Sequence, residues 1–426
     1  MVYAFGKYLL RLGAEFFFSK HHIKSFEKLR TNKPLVVCSN HAAAHLDGIL
    51  IMIFSRRRFH VLVRADVFKK KWVANLLAKI NLIPIYRIRD GFNNLEKNSE
   101  TFDRCYEILK NNGAIIIFPE ANCETERKLR KLHKGAAKIA MMAEERSEYK
   151  LGVEMVALGI TQERITSSGG RIFLEAADPF SLRPYFDAYQ QNNNKALNEI
   201  IQDVEQDLRK VLPVVNNKED EYLFEYLVTQ KNTIDNLEAW KTTATLVNNS
   251  EAELKKAVSS AISDFNNYLV ENGVDLNIVE QFKSVPRAKR WLKLLLPIID
   301  VIALFPFFVI GFIFNYFQFF IPEKLTRKMF KDACFIIGTH FAMTTFLFLF
   351  SYIFYMILLS LYVSVISVVI GIIVIATCGI VSYFYRKRFF YLLKCIRYEM
   401  AGNKKRKEWN AQYHILSSEL AEWVQK

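Results

Sequence analysis

Between Pro34 and Phe180, short apolar runs alternate with stretches that repeat apolar residues at intervals of three and four. PLVVCS, FHVLVR, NLIPIYR, AIIIFP, VEMVALGI and GRIFLEA are rich in Val and Ile and bounded by Gly, Pro, Asn or charge, which predicts buried strands. HLDGILIMIFSRR, VFKKKWVANLLAK, SETFDRCYEILKN and LHKGAAKIAMMAEE lie between them and predict helices. This alternation predicts an α/β domain over residues 31–182, a mostly parallel sheet flanked by helices. Residues 1–30 predict an amphipathic helix with Tyr8, Leu9, Leu12 and Phe16 on one side and Lys7, Arg11 and Lys20 placed for lipid headgroups. The pattern fits a helix lying in a membrane interface and equally one packed on the domain. Lys7, Arg11 and Glu15 interrupt each apolar run before it reaches the length of a signal peptide.

Residues 183–290 turn polar, with amphipathic periods separated by Asn-rich breaks, and predict a helical accessory region without a chemical motif. Residues 291–398 predict a membrane region. No Lys, Arg, Asp or Glu occurs from Cys334 to Tyr385. A spanning helix needs about 20 residues, so a hairpin of two spans, about 334–358 and 361–385, fits there. The stretch 294–322 is also apolar but carries Pro297, Asp300, Pro306 and Asn315, which predicts a re-entrant or interfacial element rather than a straight crossing. That arrangement keeps the basic clusters Arg287 to Lys293, Lys324 to Lys331 and Arg386 to Arg388 on one face, as the positive-inside rule prefers. It predicts an integral membrane protein with both termini, the α/β domain and a tail over 399–426 on the cytoplasmic side.

Composition narrows the partners. The chain has 426 residues, 51% hydrophobic, and a net charge of +15 from 58 basic and 43 acidic side chains. An apolar excess together with positive charge points to anionic membrane lipids and not to nucleic acid. The six cysteines form no C-x-x-C pair, which argues against a disulfide scaffold and a zinc site and for a reducing compartment.

Candidate chemistry sits at strand ends. In VVCSNHAAAHLDGIL a strand closes at Ser39 and is followed by Asn40, His41, His45 and Asp47. A carboxylate holding one imidazole nitrogen lets the other act as a base on a hydroxyl. Six residues on an unbroken helix would place His41 and Asp47 about 120° apart, so a dyad requires non-helical backbone between them. A helix N-cap at Asn40 or Asp47 and a core histidine are the alternatives. In FPEANCETERKLRKLHKGAAKIA, Glu120 stands at the carboxyl edge of a strand, where ligands of open α/β sheets bind. Arg87 and Arg89 follow another strand, where a guanidinium holds phosphate through paired hydrogen bonds or simply lies on the surface. Lys69, Lys70 and Lys71 meet an acidic donor or bilayer, or form a solvated run. Cys123 reads as structural. A metal-dependent oxidase is disfavoured, because His21, His22, His60, His133, His340 and His414 make no second ligand box beside His41 and His45.

Together, in this order and spacing, these pieces resemble the glycerol-3-phosphate and lysophosphatidate acyltransferase family over roughly Pro34 to Pro179. The resemblance implies that His41 and Asp47 are the catalytic dyad and that Arg87, helped by Arg89, holds the acceptor's phosphate. It also implies that Glu120 binds an acceptor hydroxyl, with Asn40 at the same substrate site. The implied co-substrate is acyl-CoA or acyl-ACP, with acyl carrier protein as a potential partner and glycerol phosphate or a lysophospholipid as acceptor. No further cofactor and no metal is implied, the acyl group passing directly to the acceptor. Five residues separate His41 from Asp47 where four are commonest in the family, Ala121 replaces the usual Gly, Cys123 stands where Ser is frequent, and Ala157 where a Pro is expected. A phosphate-free lysolipid acceptor and an inactive scaffold of the same fold are the alternatives these departures leave.

Overall fold

The computed structural model describes residues 2–86, 98–230, 233–283 and 285–425. Each of the six apolar runs becomes a strand of one sheet. The strands are β1 (Lys20–Lys24), β2 (Leu35–Ser39), β3 (His60–Arg64), β4 (Leu82–Ile85), β5 (Ala114–Ile117), β6 (Glu154–Gln162), β7 (Arg171–Ala176) and the short β8 (Phe180–Ser181). Among the described residues their order is β1-β7-β6-β2-β5-β3-β4, with β8 pairing β6. Strands β2 to β6 are mutually parallel, β7 is antiparallel to β6, and β1 runs parallel to β7. The sheet is therefore mixed but mostly parallel, and it is flanked by helices.

The helices are α1 (Val2–Phe17), α2 (His45–Phe54), α3 (Lys71–Lys79), α4 (Asn98–Lys110), α5 (Gly135–Arg146), α6 (Phe186–Gln191), α7 (Asn193–Val211), α8 (Glu221–Gln230), α9 (Leu237–Asn249), α10 (Ala252–Glu271) and α11 (Leu276–Lys283). They are followed by α12 (Arg287–Met329), α13 (Ala333–Ser360), α14 (Val365–Met400) and α15 (Gly402–Gln425). Alternate side chains of one strand point to opposite faces, so β2 serves two cores. Val36 and Cys38 pack with Leu109 of α4, Ile139 of α5 and Ile200 of α7. Leu35 and Val37 pack with Ala14 of α1, Leu46 and Leu50 of α2 and Phe341 of α13. Burial on both faces is why these strands read as continuous apolar runs.

The chain forms two units. The first comprises Met1–Glu221, Val228–Thr245 and Thr326–Thr345; the second comprises Tyr222–Leu227, Leu246–Leu325 and Phe346–Lys426. These boundaries depart from the sequence reading in two places. The N-terminal helix stops at Phe17, and residues 20–24 become edge strand β1, whose polar KHHIK lacks the apolar signature of a buried strand. Helix α7 falls in the region expected to be accessory, yet Ala196, Ile200, Val204 and Leu208 are buried in the core of the sheet. Its amphipathic period was legible; which surface it covers was not.

In the second unit, α12 runs antiparallel to α14. Arg290 lies 3.7 Å from Glu399, Asp300 pairs with Arg388, and the Phe308 and Tyr385 rings stack at 4.2 Å. A side chain on Gly311 would meet the carbonyl oxygen of Cys378, so only glycine permits this crossing. The expected break over 294–322 is absent: α12 is one helix of 43 residues that contains Pro297, Pro306 and Pro322. Each proline removes one backbone hydrogen bond, whereas opening the helix in an apolar setting would strand several polar groups. The two other polar residues taken as breakers are satisfied as well. Asp300 has Arg388, and the Asn315 amide donates to Gly311 O and Ile375 O and accepts from the Tyr352 hydroxyl at 2.9 Å. Three helices, Lys289–Met329, Ala333–Ser360 and Val365–Met400, are long and apolar enough to cross a membrane, against the two full spans expected.

Candidate active site

Strands β2 and β5 are parallel neighbours that finish at the same edge of the sheet, so the segments after them meet there. After β2 the chain does not enter α2 directly. Ala44 adopts φ 44°, a conformation costly for a residue with a Cβ, and α2 begins only at His45. This turn supplies the non-helical backbone that the dyad requires. His41 Nδ1 lies 3.0 Å from Asp47 Oδ2. Asp47 is fully buried, and the same Oδ2 accepts the Ala43 N–H at 2.8 Å. The Gln162 side-chain amide lies 3.4 Å from Oδ1. The imidazole of His41 stacks on Phe118 with centroids 4.2 Å apart and stays one-fifth exposed. With Nδ1 engaged by the carboxylate, Nε2 is the ring nitrogen left for a ligand proton.

The second segment follows β5. Glu120 is buried, and its carboxylate is held by Arg130, whose guanidinium also donates to His41 O at 2.8 Å and Asn122 O at 3.1 Å. Burial pushes the Glu120 carboxyl up to about 7, against the pull of the Arg130 charge. Ala121 sits at φ 57° and so accepts the left-handed conformation that a glycine would take freely. Cys123 is half-buried, and its thiol is drawn down to about 7, first by a hydrogen bond with Cys334 and further by the nearby His41.

His41, Glu120, Arg130, Gln162 and Asn40 line one pocket that opens to solvent. The structure thus brings His41, Asp47 and Glu120 together. Asn40 is at the pocket too, but its amide exchanges two hydrogen bonds with the backbone of Ile160, at 2.9 and 2.8 Å, fastening β2 to β6. Arg87 and Arg89 lie outside the described residues. The last described residue before them, Tyr86, is bonded through its N–H and C=O to the Asn98 side chain, at 3.0 and 2.8 Å.

Arg130, Gln162 and His45 were not singled out for the site by sequence. Arg130 is one of several basic residues in TERKLRKLHK, and nothing local marks the one that turns inward. Gln162 was discoverable only as the polar end of a buried strand. His45 is exposed by surface area, with its ring tip against Gly338 on α13, and the desolvation on that side lowers its pKa.

Residues 20–161 match the family model described as Acyltransferase. Comparison with curated proteins finds no match. Among solved structures the chain is similar to the 1-acyl-sn-glycerophosphate (LPA) acyltransferase of Thermotoga maritima, at 19% identity and a TM-score of 0.34, over 47% of this chain and 78% of that one. The segment that carries His41, Asp47 and Glu120 is thus similar to the acyltransferase family.

Proposed function

We propose that this protein moves a fatty acyl group from an acyl thioester, acyl-CoA or acyl-ACP, to a hydroxyl of glycerol 3-phosphate or 1-acylglycerol 3-phosphate at a membrane. The observation that carries the reading is the hydrogen bond from His41 Nδ1 to Asp47 Oδ2, with His41 lining a pocket that Glu120 also lines. His41 takes the proton of the acceptor hydroxyl as that oxygen attacks the thioester carbonyl. The tetrahedral intermediate collapses with rupture of the C–S bond, and the imidazolium returns the proton to the leaving thiolate. Asp47 fixes the imidazole tautomer and stabilises the cation that forms between the two steps. Glu120, steadied by Arg130, accepts a second hydroxyl of the acceptor, and Arg87 and Arg89 pair with its phosphate.

The lipid side of the reading rests on exposed apolar surface. Three long apolar helices are compatible with an integral membrane protein. On α1, Lys7 donates to Ser55 O while Tyr8, Leu12 and Phe16 face outward, 79%, 57% and 56% exposed, as on a helix lying in a bilayer interface.

The test is thioester consumption by membranes containing the protein, with long-chain acyl donor and glycerol 3-phosphate, lysophosphatidate or a phosphate-free lysolipid offered in parallel. Turnover with a phosphorylated acceptor that falls by about 10²- to 10⁴-fold in His41→Ala is the expected result. Equal rates in the variant would sink the dyad, and turnover with the phosphate-free acceptor alone would remove the role given to Arg87.

A further inference from the structure

Cys123 and Cys334 stand far apart in the sequence but adjoin in the first unit, with Asp332 beside them. The two sulfurs and a carboxylate oxygen of Asp332 all lie within 4.8 Å of one another. Two thiolates about 2.3 Å from a tetrahedral zinc ion are about 3.8 Å apart, so side-chain rotation alone brings these atoms to ligand spacing. Asp332 is oriented for this by the Cys334 N–H, which donates to its Oδ1 at 3.1 Å. Its side chain is exposed and gives an ion a path in, while Cys334 is buried.

From this cluster we infer a binding site for a thiophilic divalent cation, Zn²⁺ foremost, with Cys123, Asp332 and Cys334 as protein ligands and water completing the shell. Two soft sulfur donors with one carboxylate suit zinc and exclude Mg²⁺ and Ca²⁺, which prefer oxygen alone. A disulfide would use both sulfurs and leave the carboxylate without a role; a cation employs all three groups. The ion would clamp the loop that follows Glu120 to the turn that opens α13. That loop already touches the dyad, because Glu124 N–H donates to His41 O at 3.3 Å. This inference is independent of the acyl acceptor and of acyl transfer itself.

The experiment uses the full-length protein in detergent, reduced and stripped of metal, titrated with Co²⁺. A thiolate-to-cobalt charge-transfer band saturating at about one ion per chain and abolished by Zn²⁺ is expected. Cys123→Ser and Cys334→Ser should each lose the band. Asp332→Asn should weaken binding by at least the about 10-fold that loss of an outer-shell partner costs. A measurement without variants runs beside it: Zn²⁺ should slow iodoacetamide modification of Cys123 and Cys334 in the wild type by about 10-fold, read peptide by peptide, because a metal-bound thiolate is a poor nucleophile. No charge-transfer band, a band that survives in the double Ser variant, or unchanged alkylation would overturn the site. So would recovery of Cys123 and Cys334 as a disulfide from protein kept in zinc and reductant.

Discussion

The side-chain amide of Gln162 lies 3.4 Å from Asp47 Oδ1, on the opposite side of the carboxylate from His41. Strand β6 thereby helps to orient a pair that the sequence locates entirely from the end of β2 to the first turn of α2. Gln162→Leu should keep the fold and lower kcat by about 10-fold, well short of the about 10²- to 10⁴-fold that general-base catalysis provides. Asp47→Asn should reach that larger range. Steady-state rates with unchanged KM would check both, and equal losses in the two variants would contradict the supporting role of Gln162.

Ala121 is exposed and held at φ 57°. A Cβ in the left-handed region costs about 1–2 kcal/mol, partly offset by the extra chain entropy that glycine loses on folding. Ala121→Gly should therefore stabilise the protein by about 0.5–1 kcal/mol. A lower unfolding midpoint in the variant would show that the methyl group makes a contact worth more than the strain.

Glu120 gives stability a pH dependence with a defined sign. The unfolded chain ionises this carboxyl near its ordinary 4.5, whereas burial keeps the folded group protonated up to about 7. Its contribution is complete below about 4.5 and is lost as pH rises to about 7, a change on the order of 3 kcal/mol. Wild type should lose stability relative to Glu120→Gln across that window, measured as unfolding midpoints in detergent. Parallel curves would mean that Arg130 keeps Glu120 ionised throughout.

A methyl group at Gly338 would lie 2.8 Å from His45 Nε2, closer than packed atoms tolerate. His45 opens α2, the helix that bears Asp47. Because the contact is with the tip of an exposed side chain that can turn aside, Gly338→Ala should cost less than about 1 kcal/mol and leave kcat unchanged. A loss of about 1–3 kcal/mol with a lower kcat would show that the ring is fixed and that α2 moves instead.

Much of the first unit was legible because its signals are local. A strand buried on both faces must be apolar at successive positions, and a helix laid on a sheet must repeat at three and four; β2 to β7 and α2 to α5 obey both rules. The pairing of His41 with Asp47 was legible for the same reason, since the two are close in sequence and the need for a turn between them follows from helix geometry. Strand β1 escaped because an edge strand of Lys and His has no apolar pattern, and α12 misled because proline weakens a helix in water more than among apolar neighbours.

By itself the sequence determined the α/β alternation, the two apolar helices over 334–385, the excess of positive charge and the placing of His41, Asp47 and Glu120 near strand ends. Only the tertiary structure decided which of many equivalent side chains turn inward: Arg130 onto Glu120, Gln162 onto Asp47, both atoms of the Asn40 amide onto Ile160, and Cys334 onto Cys123. Periodicity records how a residue sits on its own helix or strand, over a few residues. Contacts between distant segments are fixed by the packing of whole elements, and no local pattern encodes their partners.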